Sequence, residues 1–387
     1  MRITSFRHAI IAAAALAVIP CGAASAQETF KVGASLGLTG YGSLTDGHWR
    51  DGLEVAIAAV NAEGGVLGHK LELFYEDNKS TPQQAVVVYR KMMSEDNVKA
   101  FDSGCISAGN FAAAGFVSQA KIPMFLCSIL PRLPDEQKWA FSFLPPPKFE
   151  VEARYDYLKN KTDVRKIGIL ADPSPYSLLM KGIAEKEAAD YGLTVVANET
   201  YQQDDADFSV QIGRINSAGG GAIIMIGQGN AAVTAANNIK HLGLDKMLLL
   251  GSINEKDIIL SAGKVLGEQY LFPSPLVQVA AAADDLNVIA DPASRAAAQA
   301  FLTAFKVKHP DTDTGQASRA WDSILMMANA IKKAGSTDGT AIRDAFEKLG
   351  HYDGAGASYD FSADQHVGIT KNPYVIAFVK DGKLKIK

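Results

Sequence analysis

A glycine-rich turn between an apolar run and a helix-like segment is the first place where this sequence could bind a cofactor. Residues 222–226 are apolar, and the segment GQGNAA (227–232) that follows matches the spacing G-x-G-x-x-A. Between a strand and a helix, that spacing is typical of dinucleotide binding. However, the next strand-like run ends at Ser252 without the acidic residue that would hold a ribose. We therefore interpret the segment as a tight strand-to-helix turn and predict no nucleotide cofactor.

A second loop, GCISAG (104–109), places a serine where a nucleophile or an anion site could lie. Its spacing is one residue longer than that of a nucleophile elbow, and none of the seven histidines has metal-ligand spacing. We predict no enzyme and no metal site. Ser107 and the adjacent N–H groups instead mark a helix start, whose unpaired donors favour a carboxylate. The alternative, that Ser107 only caps its helix, is compatible with this role.

One acidic pair could be mistaken for a metal site. Glu76 and Asp77 end a strand-like run just before Asn78. Hard cations take several oxygen ligands, and no further ligands follow at useful spacing. We interpret the pair as a solvated strand end.

The amino terminus has the pattern of a cleavable export signal. Arg2 and Arg7 precede an apolar run over 9–19, and Ala24-Ser25-Ala26 is a small-x-small cleavage site. The run is too short to span a bilayer, and Pro20 is wrong for the lipoprotein alternative that Cys21 raises. We predict cleavage after Ala26 and a periplasmic protein.

Charge and cysteine content restrict the remaining classes. The chain carries 38 Lys and Arg against 42 Asp and Glu, with no basic stripe, so nucleic acid is not an expected partner. Cys105 and Cys127 remain after cleavage and are expected at the ends of neighbouring strands. Two buried thiols are the favoured interpretation, and a disulfide is the alternative in an oxidising compartment.

Strand-like and helix-like segments alternate from Phe30 onward, which predicts parallel sheets with crossover helices. The pattern restarts after the three prolines at 145–147, giving a second α/β set of similar size. Phe272-Pro273-Ser274-Pro275 is interpreted as a linker. The last third is mainly helical and closes on two strand-like runs, with Asp381-Gly382 as a hairpin turn. We predict two hinged α/β lobes around a cleft.

Several segments resemble the type I periplasmic solute-binding proteins of ABC importers, in the leucine/isoleucine/valine-binding branch. The resemblance is carried by LTG (38–40), NAEGGVLG (61–68), GCISAG (104–109), DDADFSVQIGRINSAG (204–219) and YDFSADQ (359–365). It implies a two-lobed α/β fold that closes on a ligand in the interlobe cleft and docks on an inner-membrane permease. It also implies a monomer that needs no cofactor and catalyses no reaction. The implied lobes are 27–147 plus 276–356, and 148–275 plus 357–387.

The resemblance also implies a set of cleft residues. Ser107 matches the carboxylate-binding serine of the family, with the Ala108 backbone beside it, and Ser128 lies in the next strand-end loop. Tyr176, Gln228 and Gly229 match cleft positions on the second lobe. This would explain why the 227–232 turn is exposed.

Two departures from the family pattern indicate the ligand. Leu130 stands where amino-acid binders have a threonine, and Ile253 stands where they have an acid that pairs with the ligand ammonium. A buried ammonium without a carboxylate is costly. We therefore predict a small carboxylate with an uncharged body, an aromatic or 2-oxo acid. The alternatives are a hydrophobic amino acid, with Glu255 replacing the missing partner, and a sensing subunit for a receptor.

Overall fold

The computed structural model of the protein describes residues 28–131, 133–202, 205–227, 229–253 and 256–387. The predicted export signal, Gln228 and Glu255 lie outside the described residues. The first third of the chain alternates short strands and helices. In order they are β1 (Thr29–Leu36), α1 (Ser43–Ala62), β2 (Lys70–Asp77), α2 (Pro82–Lys91), β3 (Ala100–Ser103), α3 (Ser107–Gln119), β4 (Met124–Leu126), α4 (Pro134–Gln137) and β5 (Ala140–Ser142).

These strands form a parallel sheet in the order β2-β1-β3-β4-β5. Residues of β3, β4 and β5 are buried throughout, which explains their continuous apolar runs. Local signals set the helix starts. Thr81, for example, caps α2 by accepting a hydrogen bond from the Gln84 N–H, and Pro82 occupies the first turn.

The middle of the chain repeats the alternation and builds a second sheet. Its elements are α5 (Pro147–Lys161), β6 (Lys166–Ala171), α6 (Pro175–Glu187), β7 (Thr194–Thr200), α7 (Ser209–Ser217), β8 (Ala222–Ile226), α8 (Ala231–His241), β9 (Leu248–Leu250), α9 (Lys256–Leu266) and β10 (Tyr270–Pro275).

The last third supplies helices to the first lobe and two strands to the second. Its elements are α10 (Leu276–Ala283), α11 (Pro292–Lys308), α12 (Gly315–Ala334), α13 (Gly339–Phe346), β11 (Gly350–Asp353), β12 (Ser358–Phe361), β13 (Tyr374–Lys380) and β14 (Lys383–Ile386). The second sheet has the order β14-β13-β10-β9-β8-β6-β7. β13 and β14 are antiparallel and joined at Asp381 and Gly382, with φ of 52° and 70°, as the hairpin signal predicted.

The segment interpreted as a linker is a strand. β10 pairs with β13 through Pro273 and Pro275, and with β9 only through Tyr270 and Leu271. Beyond Leu271, the edge of β10 that faces β9 therefore makes no strand pairing in the described structure. Proline, which lacks an N–H, is tolerated there.

The chain crosses back to the second lobe later than predicted. Tyr359, Phe361 and Ile369 belong to the core of the first lobe, and the Ser142 N–H donates to the His366 carbonyl at 2.8 Å. These residues fall within 357–387, which the sequence had placed in the second lobe. The cause is the β11–β12 hairpin, whose apolar side chains pack against Phe143 and Phe346.

Cys105 and Cys127 are bonded to each other, with Cα atoms 4.5 Å apart. The favoured thiol interpretation is therefore wrong and the disulfide alternative is correct. The two residues follow β3 and β4, which are neighbours in the first sheet. Adjacent strand ends lie within the span of a disulfide.

Candidate functional site

A cavity of about 170 Å³ lies between the two lobes. Tyr41 and Leu44 contribute from the start of α1, and Gly229 and Ile253 from the turns after β8 and β9. The remaining walls include Arg319 on α12 and residues at the lobe crossings. The cavity therefore lies beyond the carboxyl ends of parallel strands, where open α/β sheets bind ligands.

The cavity contains one acidic side chain with a defined set of donors. Asp313 accepts a hydrogen bond from Gln278 Nε2 at 2.6 Å and another from the Gly315 N–H at 2.7 Å. Gln278 in turn accepts from the Ser274 hydroxyl at 3.0 Å. This network fixes the carboxylate at the junction of β10, α10 and α12, on the lobe crossings.

Arg319 is the cationic side chain of the cavity. It is 5% exposed, its Nη2 donates to Gln316 Oε1, and its Nη1 lies 3.5 Å from the Phe143 carbonyl. Its Nε is buried and has no hydrogen-bond partner among the described residues. A buried guanidinium with an unmatched N–H is well suited to an anionic ligand.

Two predicted cleft residues of the second lobe meet at a buried carboxylate. Glu150 on α5 is stabilised by Arg154, by Ser252, by the Ile253 N–H and by Tyr176. Burial nevertheless raises the pKa of Glu150, and it raises the pKa of Tyr176 well above its ordinary value. Ile253 lines the cavity, whereas Tyr176 is placed behind that wall, in contact with the lobe core.

Glu150 and Arg154 form a buried ion pair under this wall. Arg154 Nη2 donates to Glu150 Oε1 at 2.8 Å, and Nη1 donates to the Met225 carbonyl at 2.9 Å. Both side chains are almost completely buried. The charge of Glu150 is therefore already neutralised within the lobe.

Ser107 is the first residue of α3, and the position before it is Ile106, which gives no side-chain cap. Ser107 is thus not the cap that the alternative reading proposed. Within the described residues, neither its hydroxyl nor the N–H groups of Ser107 and Ala108 have a partner. The helix start therefore retains donors for a carboxylate.

The other predicted first-lobe residues face inward. Ser128 is buried, and its hydroxyl accepts from Asn110 Nδ2 at 2.9 Å. Leu130 is half-buried against the core beneath α2 and α3. Ser107, Ala108, Ser128 and Leu130 are not among the residues that line the cavity, whereas Gly229 and Ile253 are.

Asp46 connects the α1 start to the Ser107 loop. Its carboxylate accepts from the Gly37 N–H at 2.6 Å and from the Cys105 N–H at 2.7 Å. A Cβ at Gly104 would overlap this carboxylate, which explains the glycine. Burial raises the pKa of Asp46 to about 6 despite these two donors.

Asp77, interpreted from the sequence as a solvated strand end, lies at the end of β2 and also organises the neighbouring loop. Its carboxylate accepts from the Leu38 and Thr39 N–H groups at 3.0 and 3.1 Å, and from the Thr39 hydroxyl. It thereby shapes the loop between β1 and α1 that leads to Tyr41. Among the residues that the structure describes, no group of three His, Cys, Asp or Glu could hold a metal.

The 227–232 turn has glycines for packing reasons. Gly227 has φ of 141°, and a Cβ there would overlap the Tyr201 hydroxyl and the Asp172 carboxylate. Gly229 has φ of 76° and lines the cavity. These two requirements account for the G-x-G spacing without a nucleotide.

Sequence reasoning missed the polar cavity residues Gln278, Asp313 and Arg319. They lie far apart in the chain, so no short sequence motif reveals that they line one cavity. One signal was present: Arg319 and Asp322 interrupt the apolar helix 315–334, and charged residues are seldom buried in a helix without a reason. No helix in the described part of the chain is long and apolar enough to cross a bilayer.

Comparison with known proteins supports the same architecture. The Leu/Ile/Val-binding protein homolog 7 of Brucella abortus (strain 2308) is 22% identical over 385 residues, covering 96% of this chain and 94% of the relative. The leucine-, isoleucine-, valine-, threonine- and alanine-binding protein of Pseudomonas aeruginosa is 22% identical, covering 83% and 82%.

Solved structures share the fold at similar distance. Rp1789 of Rhodopseudomonas palustris has a TM-score of 0.78 at 20% identity, covering 93% of this chain and 99% of the other. The substrate-binding protein LivJ of Streptococcus pneumoniae, solved with isoleucine, has a TM-score of 0.75 at 23% identity, covering 92% and 98%. The predicted fold class, two lobes of mostly parallel sheet flanked by helices, is confirmed.

The relatives are named as binding proteins, which confirms the predicted non-enzymatic class. Residues 29–383 match the family model described as "Periplasmic binding protein". The match spans nearly the whole described chain. This protein therefore belongs to the periplasmic binding protein family.

Proposed function

We propose that the protein is the exported substrate-binding component of an ABC importer and captures a small carboxylate with an uncharged body, an aromatic or 2-oxo acid. The observation that carries the ligand class is the state of Glu150. This second-lobe carboxylate beside Ile253 is buried and ion-paired with Arg154. The Glu150 carboxylate is therefore already ion-paired. It does not replace the acid that is missing at Ile253 as a partner for a ligand ammonium.

The cavity walls agree with such a ligand. Leu44, Ile253, Ile258 and Pro275 are apolar, and Tyr374 adds a ring. Burial of a flat apolar body against these side chains is favourable at about 25 cal/mol per Å². The carboxylate would be held by hydrogen-bond donors, among which are the α3 start with Ser107 and Ala108.

A branched-chain or other hydrophobic amino acid is the second candidate. The relatives are named for leucine, isoleucine and valine, and one solved neighbour holds isoleucine. Asp313 lines the same cavity and supplies a carboxylate that an ammonium could approach. The two candidates therefore differ in whether Asp313 takes part in binding.

The binding cycle follows from the two-lobed architecture. A ligand that contacts both lobes binds the closed form better than the open form and shifts the equilibrium toward closure. The closed form would then dock on an inner-membrane permease as a monomer. Export by cleavage after Ala26 belongs to the same proposal.

The test is calorimetric titration of the mature, ligand-stripped protein with benzoate, 4-hydroxybenzoate, 4-coumarate, phenylpyruvate, leucine and valine, with NAD and ATP as negative controls. We expect binding of at least one organic acid and none of leucine or valine. Binding of leucine alone would replace the first candidate by the second. Binding of no panel member would contradict both.

Two variants separate the candidates further. Asp313→Asn should weaken amino-acid binding about 10- to 100-fold but leave acid binding within twofold, because only an ammonium needs that charge. Ser107→Ala should weaken either ligand at unchanged thermal stability. The matched control is Ser118→Ala, on the same helix, where the hydroxyl donates to the Gly115 carbonyl. Wild-type affinity in Ser107→Ala would contradict the predicted role of that loop.

A further inference from the structure

We propose that Arg319 is the anion anchor of the cleft and binds the ligand carboxylate through its guanidinium. The proposal rests on the proposed function and deepens it by naming the cationic group that selects the ligand. None of the residues predicted from the sequence carries a positive charge, so this role is additional to theirs.

One edge of the guanidinium has no hydrogen-bond partner in the described part of the chain. Nη2 is turned toward Gln316 and Nη1 toward the Phe143 carbonyl, which together fix the plane of the group. The buried Nε has no partner in the described part of the chain, and Arg319 is a cavity-lining residue. A fixed planar fork with an unmatched donor suits a planar carboxylate.

The surrounding carboxylates have other partners. Asp322, three residues further along α12, accepts from the Ala355 and Gly356 N–H groups at 2.8 and 2.7 Å. Asp313 accepts from Gln278 and Gly315, and Glu150 is paired with Arg154. Arg319 itself forms no ion pair within the described residues. A buried cation without a counter-ion is costly, and a bound anion removes that cost.

The charge of Arg319 also reaches the second lobe. Burial raises the pKa of the Tyr176 and Tyr374 hydroxyls, and the nearby Arg319 opposes that rise for both. Tyr176 lies on α6 and Tyr374 begins β13, whereas Arg319 packs within the first lobe. An anion at Arg319 would therefore lie between the lobes, where contact with both favours closure.

These neighbours restrict the ligand class. Tyr374, Tyr41 and Ile253 line the same cavity as Arg319 and offer rings and an aliphatic side chain. A monocarboxylate with a flat apolar body would place its charge on Arg319 and its body against these side chains. An uncharged analogue of the same shape would lose the charge-assisted contact.

The experiment compares Arg319→Gln, Arg319→Lys and the wild type by calorimetric titration with benzoate, 4-coumarate, phenylpyruvate and leucine, and with benzamide as the uncharged analogue of benzoate. The matched control is Arg214→Gln, which removes one positive charge from an exposed site on α7. Far-ultraviolet circular dichroism and thermal melting check that each variant is folded.

We expect Arg319→Gln to weaken binding of the recognised carboxylate about 10- to 100-fold, and Arg319→Lys to weaken it less, because lysine keeps the charge and loses the planar fork. Benzamide binding should change less than twofold, and Arg214→Gln should match the wild type. The same loss is expected if leucine is the recognised ligand, since it also carries a carboxylate.

Two outcomes would overturn the inference, and they are distinguishable. If the wild type binds a carboxylate of the panel and folded Arg319→Gln binds it within twofold, the anchor role is wrong while the proposed function stands. If the wild type binds no carboxylate of the panel, the proposed function fails and the inference fails with it.

Discussion

Two buried arginines lie near the interlobe cleft, and their surroundings differ. Arg154 under the second-lobe wall has three hydrogen bonds, to the Glu150 carboxylate, the Glu150 carbonyl and the Met225 carbonyl. Arg319 on the first-lobe side has no acidic partner and an unmatched Nε among the residues that the structure describes. Both are at most 5% exposed.

Burial alone therefore does not identify a binding residue. A buried charge whose partners are all supplied by its own lobe holds that lobe together. A buried charge that faces a cavity and lacks a protein partner is instead expected to pair with a bound ligand. The second lobe therefore contributes shape to the cleft, and the first-lobe side contributes the charge.

The largest expected effect is on stability. Arg154→Met should lower the free energy of unfolding of the ligand-free protein by about 3–5 kcal/mol, because it leaves the Glu150 carboxylate buried without its partner. Arg319→Met should lower it by no more than about 1 kcal/mol, since it breaks no ion pair. Urea denaturation of both variants measures the two values. Equal losses would remove the distinction between the two arginines.

The next effect is a pH dependence of the free energy of unfolding, which tests whether a buried carboxylate is ion-paired with Arg319. Burial raises the pKa of Asp322 to about 7 and that of Asp102 to about 8, whereas both are near 3.8 when the chain is unfolded. Between these values the folded protein binds more protons than the unfolded chain. Stability should therefore rise as pH falls from 8 to 6, by about 3–4 kcal/mol.

Denaturation at pH 6, 7 and 8 measures this slope. Asp102→Asn, which removes the group that titrates highest, should flatten the part between pH 7 and 8. Stability that stays constant between pH 8 and pH 6 would indicate that these carboxylates are held ionised by a cation, because ionised carboxylates bind no protons in this range in either state. Arg319 would then be the nearest candidate on α12, and the comparison would fail.

Much of the fold could be predicted because short strands are delimited by residues with strong local preferences. The apolar run 222–226 is strand β8, and the strand-like run predicted to end at Asp77 is β2. β10 was missed because its two prolines oppose strand formation in general, and only the short pairing with β9 makes them acceptable. That pairing is tertiary information.

The candidate site was less accessible to sequence reasoning. Gly229 and Ile253 were found through the resemblance to the family, which implies cleft positions there, and both line the cavity. Asp313 and Arg319 were not found, because their proximity to those loops depends on tertiary contacts between segments far apart in the chain. The partnering of Glu150 with Arg154, which carries the ligand argument, also depends on contacts absent from the linear pattern.

The smallest expected effect concerns Gly229 in the second-lobe wall of the cavity. Gly229→Ala should cost about 1 kcal/mol through its positive φ alone, since no atom lies within 4 Å of the added Cβ. Gly213→Ala, within helix α7 and equally open, should instead stabilise by about 0.5–1 kcal/mol. Thermal melting of both variants measures whether each substitution raises or lowers the stability of the protein. A loss above 3 kcal/mol for Gly229→Ala would mean that this turn has a larger structural role.

The disulfide between Cys105 and Cys127 has a consequence for how the first-lobe side meets a ligand. The bond joins the loop that leads to Ser107 to the loop that contains Ser128, just before α3 begins. Loops that must be ordered at the moment of binding lose affinity to the entropy of that ordering. Here the cross-link and the Asp46 contact to the Cys105 N–H restrict the loop before any ligand arrives. The donors at the start of α3 are thus preorganised by oxidation during folding.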